Sequence, residues 1–207
     1  MSNKRYWQKT KGTKNFMKIV WKRLEVMIRF ATEEDAEELL RIYSYYVENT
    51  AITFEYDTPA LDEFKYRIRT IKAMYPYLVS EVDGKIVGYA YANTFKDRAA
   101  YDWAVEVTVY VKMGFSGHGA GTLLYTELER CLSMQNIINL NACITYPNEK
   151  SEAFHRKLGY KTVAHFTKCG YKSGAWKDMI WMEKIIGQHR AGQANIVPFT
   201  DVKMDFT

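Results

Sequence analysis

The stretch VEVTVYVKMGFSGHGAGTLLYTELERCL, Val105 to Leu132, joins three patterns in a fixed order. Apolar residues alternate from Val105 to Val111, as in a strand with one buried face. Gly114, Gly117, Gly119 and Gly121 then crowd into one short segment. After them Leu124, Leu128, Cys131 and Leu132 recur at helical spacing. A strand that runs through glycines into a helix builds an anion site. The first amides of a helix have no partner inside it, and the helix dipole adds partial positive charge there. Glycine lacks a Cβ, so a pyrophosphate can approach the backbone closely.

Two common phosphate loops do not fit. A Walker loop needs Lys and then Ser or Thr after its last glycine, and here Gly121 is followed by Thr122-Leu123. The dinucleotide fingerprint GxGxxG fails as well, because Gly117, Gly119 and Gly121 are spaced by twos.

The rest of the chain frames this motif. MIRFA from Met27 alternates like a strand, and Thr32 with Asp35 imitates a capping box before a stripe of Ala36, Leu39, Leu40, Tyr43 and Val47. A second helix follows Pro59, with Leu61, Phe64, Ile68 and Ile71 on one face. Asp83-Gly84 between two alternating runs predicts a hairpin. INLNACITY predicts a strand, and PNEKSEAFHRKLGY predicts a helix stopped by Gly159. Two closing strands are expected between Lys161 and Ile186, joined by a glycine-containing loop. The fold class is therefore α/β of the α+β type: a single domain with a mixed sheet and flanking helices.

With 207 residues and 47% hydrophobic content, the chain can bury a core without staples. Cys131, Cys143 and Cys169 form no CxxC pair, so neither a metal site nor a disulfide framework is expected. The net charge of +5 comes from the leader: residues 1–26 hold eight basic side chains against Glu25. The remaining twenty-one basic and twenty-three acidic residues nearly balance, so no nucleic-acid partner is expected. Ile19-Val20-Trp21 is too short an apolar run for a signal core or a membrane span. Residues 1–26 are expected to be a disordered extension, 27–186 the domain, and 187–207 a polar tail that is flexible or loosely docked.

From Met27 to about Ile186 the sequence resembles the GNAT superfamily of acyl-CoA-dependent N-acetyltransferases. The superfamily's (Gln/Arg)-x-x-Gly-x-(Gly/Ala) signature maps onto Ser116, Gly119 and Gly121, with Ser116 departing from the usual long polar residue. The blocks ITFEYDTPALDEF, YPYLVSEVDGKIVGYAYANTFKDRAAYDWAVEVTVYV and YPNEKSEAFHRKLGYKTVAHFTKCGYKSGAWKDMIWMEK are similar to the phosphinothricin and methionine sulfone N-acetyltransferases. That resemblance implies a mostly antiparallel GNAT-type sheet, acetyl-CoA as co-substrate, no metal, a small-molecule amine substrate, a homodimer and a cytoplasmic location.

The resemblance also implies residue roles. A free amine with a pKa of roughly 8–10 is mostly protonated at neutral pH, so a base must act. Glu106 is the candidate base, on the strand face opposite Val105, Val107, Val109 and Val111; a structural carboxylate is the alternative. Two strands are expected to splay there, so that Val107, Val109 and Val111 pair with the pantetheine arm and the Val107 N–H faces the acyl oxygen. Ser116, Gly117, His118, Gly119, Ala120, Gly121 and Thr122 would hold the phosphates, with His118 or Lys112 supplementing Ser116. Asn148 and Ser151 would meet the pantetheine amides, or cap a helix instead. His155 is the candidate acid for the leaving thiolate, with packing as its alternative. Arg98 and Tyr101, with Phe54 and Glu55, would receive the amine substrate. A polyamine, antibiotic or protein N-terminus as acceptor, and a non-catalytic acyl-CoA-binding module, stay open at this point.

Overall fold

The computed structural model describes residues 5–9, 15–21 and 24–202, with side chains from Val26 onward. Two strands, β1 (Arg5–Lys9) and β2 (Asn15–Trp21), precede β3 (Leu24–Phe30). Helices α1 (Ala36–Asn49) and α2 (Leu61–Met74) follow. Next come β4 (Tyr77–Val82), β5 (Lys85–Thr94) and β6 (Ala104–Val111). The chain continues through α3 (Ala120–Met134), β7 (Asn139–Tyr146), α4 (Glu149–Lys157), β8 (Lys161–Lys172) and β9 (Ala175–Ile185).

All strands form one sheet in the order β1-β2-β3-β4-β5-β6-β7-β9-β8. Every neighbouring pair is antiparallel except β6 and β7. That exception follows from α3, which crosses from the end of β6 back to the start of β7. Asp83 and Gly84 turn between β4 and β5 with φ of 50° and 73°, the left-handed pair that a two-residue hairpin loop demands. Asp35 accepts from the Thr32 N–H at 2.7 Å, as the capping pattern anticipated, although a 3-10 turn over Glu33–Asp35 comes before α1 proper.

Each face of the sheet has its own core. On one, Val105, Val107 and Leu140 pack against Leu124, Leu128 and Leu132 of α3. On the other, Tyr77, Val79 and Tyr89 pack against Leu39, Tyr43 and Val47 of α1 and Phe64 and Ile68 of α2.

The N-terminal end differs from the sequence expectation, whereas the C-terminal tail takes the docked form of its two expected alternatives. Within 1–26 the chain forms β1 and β2 and the start of β3, instead of a segment without structure. The β-branched and aromatic residues of NFMKIVW supply a strand signal that the leader's high charge obscures; residues 1–4, 10–14 and 22–23 lie outside the described part. At the other end, residues 187–202 are a docked strap. The Trp103 indole donates to Ala194 O at 2.8 Å, and Gln135 Nε2 donates to Val197 O at 2.8 Å. The Val197 N–H returns a bond to Gln135 O at 3.1 Å, and the rings of Phe199 and Phe30 lie 5.1 Å apart.

Candidate active site

The parallel ladder between β6 and β7 covers only Ala104–Glu106 against Asn139–Asn141. Beyond it β6 runs on to Val111 and β7 to Tyr146 without pairing with each other. The two strands therefore fork at Glu106. Lys112 N–H donates to Val87 O at 2.8 Å. In an antiparallel ladder, alternate residues turn their backbone groups to the same neighbour. Tyr110, Thr108 and Glu106 thus face β5, while Val107, Val109 and Val111 face the fork. Two hydroxyls mark that edge: the Tyr125 hydroxyl lies 3.3 Å from Val107 O, and Tyr46 donates to Val111 O. The three valines named from the sequence do line an open strand edge.

Glu106 projects to the face shared with Thr108 and Tyr110. Burial raises its carboxyl pKa, and the distant Lys96 ammonium offsets only part of that shift. Cys143, two residues past Glu106's partner Asn141, shares the face and is exposed there.

The glycine loop lies past the end of β6. Gly117 and Gly119 take φ of 83° and 87°, a left-handed conformation costly for residues with a Cβ. Gly119 is the N-cap of α3 and brings no side chain to it, so no capping group shields the Ala120, Gly121 and Thr122 amides. Ser116 and His118 are exposed beside this cradle. Lys112 reaches Glu38 of α1 at 3.3 Å, which draws its ammonium toward that helix.

α4 delivers the next group. Asn148 Oδ1 accepts from the Ser151 N–H at 3.2 Å, so helix capping is its visible role. His155 Nδ1 lies 2.8 Å from Ser151 O and 3.3 Å from Ser151 Oγ. A carbonyl can only accept, so Nδ1 carries the proton and Nε2 accepts from the Tyr125 hydroxyl at 3.1 Å. His155 is 4% exposed, and burial lowers its pKa. The neutral imidazole stands behind Tyr125, one hydrogen bond removed from the β6 edge. Tyr125 was not singled out from the sequence. Its signal was a hydroxyl within the apolar stripe of α3, where a buried Tyr needs a partner.

The residues expected around the amine separate. Arg98 is exposed in the turn before β6, whereas Tyr101 lines a cavity of about 530 Å³ with Ala104, Asn139, Asn141, Glu183 and Arg190. Its wall thus includes the strap and the strand bearing Glu106. Glu55 pairs with Arg67 at 2.6 Å, so its charge is already answered. Phe54 sits in the loop between α1 and α2, which reaches β7 through a Thr145 hydroxyl bond to Ala51 O at 2.8 Å. Among the described residues, no three His, Cys, Asp or Glu side chains group to hold a metal, and no helix is long and apolar enough to cross a membrane.

Comparison with known proteins agrees with this geometry. The family model for the acetyltransferase (GNAT) domain matches residues 28–181. A phosphinothricin N-acetyltransferase of Streptomyces viridochromogenes is 36% identical over 157 residues, covering 76% of this chain and 86% of the relative. An L-methionine sulfoximine/L-methionine sulfone acetyltransferase of Salmonella typhimurium is 30% identical over 173 residues, covering 81% of this chain and 98% of the relative. The crystal structure of a GNAT superfamily phosphinothricin acetyltransferase from Sinorhizobium meliloti, in complex with AcCoA, superposes with a TM-score of 0.75. It is 32% identical, over 78% of this chain and 89% of that one.

Proposed function

This chain belongs to the GNAT acetyltransferase family and is an N-acetyltransferase that uses acetyl-CoA; from that premise we propose that it acetylates the amino group of a small amino-acid-like acceptor of the phosphinothricin or methionine sulfone and sulfoximine kind. The observation that carries this reading is the fork between β6 and β7 with Glu106 at its apex. Acceptor names come from the relatives, whose matches run through the same blocks.

In this reading each group has one task. The amides at the start of α3 and the loop Ser116–Gly119 hold the diphosphate. Val109 and Val111 offer their backbone edge to the pantetheine amides, and Asn148 and Ser151 stand at the far side of the fork. Glu106 takes a proton from the acceptor's ammonium, directly or through water, and frees the lone pair for attack on the acyl carbon. The Val107 N–H faces the oxygen that gains charge as the C–N bond forms. The departing thiolate belongs to a thiol of pKa roughly 8.5, so its protonation needs no strong acid. His155 serves best as the partner that orients Tyr125 against the β6 edge. The acceptor lies over the Glu106 face, between the α1–α2 loop and the cavity at Tyr101 and Asn141. Arg190 replaces Arg98 as the cation nearest that cavity.

We assign the catalytic unit to residues 27–186. A homodimer is proposed as the working form, and the free Cys131, Cys143 and Cys169 suit the reducing cytoplasm. The test is thiol release from acetyl-CoA with a panel of phosphinothricin, methionine sulfone, methionine sulfoximine, spermidine and an aminoglycoside. Turnover with the first three is expected. Turnover confined to spermidine or the aminoglycoside would overturn the acceptor class.

A further inference from the structure

Lys172 ends β8 at the turn into β9, and at 4% exposure it is the only buried lysine or arginine among the described residues. Removing an ammonium from water is costly unless every donor is used. Here all three N–H groups find carbonyls. Nζ donates to Val47 O at 2.8 Å, to Thr53 O at 2.8 Å and to Glu55 O at 2.7 Å. Val47 lies in the last turn of α1, where carbonyls lack helical partners and the dipole favours a cation. The nearby carboxylate of Glu55 is turned to Arg67. The lysine therefore ties backbone, and the positions of carbonyls are what it fixes.

Its two neighbours grip the same loop. The Tyr56 hydroxyl donates to Tyr171 O at 2.5 Å. At Gly170 a Cβ would overlap the ring of Phe54, lying 2.8 Å from its Cδ2. Three residues of β8 thus hold one segment that forms neither helix nor strand of its own. That segment carries Phe54 and Glu55, and it leans on β7 at Thr145, on the face that bears Glu106.

We propose that Lys172 is a positioning residue for the acceptor amine: it holds the loop 51–56 to the β8–β9 hairpin and so fixes the wall of the acceptor pocket, without touching the acetyl-CoA groove. The inference rests on the acceptor reading above. It assigns part of the selectivity for the amine to a lysine that meets no substrate atom.

The experiment compares native protein with Lys172→Met, which keeps most of the side chain's length, one atom short, and removes its donors. The KM for whichever amine the native protein uses is expected to rise about ten- to hundredfold, as for a displaced positioning group. The acetyl-CoA dissociation constant is expected to stay unchanged, and the amides of 51–56 to exchange hydrogen faster. An unchanged amine KM in folded Lys172→Met, or a parallel loss of acetyl-CoA affinity, would overturn the proposal. A second arm covers a failure to fold. Gly170→Ala should raise the amine KM in the native background and be silent in a Phe54→Ala background, where the ring it strikes is gone. Equal effects in both backgrounds count against the proposal. If native protein acetylates no panel amine, the acceptor reading fails by itself, and loop exchange still decides whether Lys172 holds the loop.

Discussion

Burial raises the carboxyl pKa of Glu106 by disfavouring its charged form, and the Lys96 ammonium offsets part of that rise. A raised pKa suits the base role proposed above, because it makes the carboxylate a readier proton acceptor. Glu106→Gln is expected to lower kcat by roughly 10² to 10⁴ while leaving acetyl-CoA binding intact, as read by steady-state kinetics beside calorimetry. Stability should move the other way. The folded pKa lies above the unfolded one, so the folded state holds this proton more tightly. The resulting stabilisation is complete below the unfolded pKa and is lost as pH rises through the folded pKa. At pH 7 the native carboxylate is therefore a burden, and Glu106→Gln should melt at a higher temperature than native protein. The gap should close below the ordinary Glu pKa of about 4.3. A lower melting temperature for the variant at pH 7 would mean that Glu106 is held by structural bonds. At this scale the sequence revealed residues whose partners are near in sequence or dictated by strand parity. Glu106, the valines and the Asn148 cap were legible for that reason. The Tyr125–His155 contact, the Arg67–Glu55 pair and the Lys172 carbonyl cage join distant segments, and no local pattern encodes them.

The secondary elements were legible wherever one rule sufficed. Asp83-Gly84 set the β4–β5 hairpin, and the stripe of Leu124, Leu128, Cys131 and Leu132 is fully buried in α3. The contacts of the strap 187–202 were not legible because it has no periodicity; single residues at irregular intervals dock it. Ile196 packs on the core, Phe199 meets Phe30, and the carbonyls of Ala194, Asn195 and Val197 accept from Trp103, Asn136 and Gln135. Gln135 is itself fully buried. Its Nε2 keeps one other acceptor, Met74 O at 2.7 Å, so removing the strap strips a buried amide of half its donor bonds. Ending the chain after Gly187 should lower the unfolding free energy in urea by about 2–4 kcal/mol, from lost apolar burial and several hydrogen bonds. Trp103→Phe, which removes one of those bonds, should cost about 1 kcal/mol. A truncated chain with an unchanged urea midpoint would show that the docking contributes nothing.

Across the whole molecule the two sheet faces are unequally covered. α3 and α4 lie over one face of β6 and β7, while α1 and α2 cover the other only as far as β6. The β7-β9-β8 end keeps one side open, and in the proposed reading the acceptor reaches Glu106 across it. Val163, Phe166, Tyr171, Trp176 and Ile185 are exposed on the β8–β9 arm, with β8 at an edge of the sheet. A long apolar edge invites pairing with another chain unless something covers it. A second copy would cover it at no cost in new sequence, and a twofold interface would wall the proposed acceptor face on both protomers. Sedimentation velocity is therefore expected to give twice the mass of one chain at micromolar concentration. The double variant Phe166→Asp, Trp176→Asp should shift the mass toward the single chain and raise the KM for the amine, with acetyl-CoA affinity held. A native protein that sediments as one chain at high concentration would leave the acceptor face open on that side, and the pocket would then have to be closed by the loop 51–56 and the strap alone.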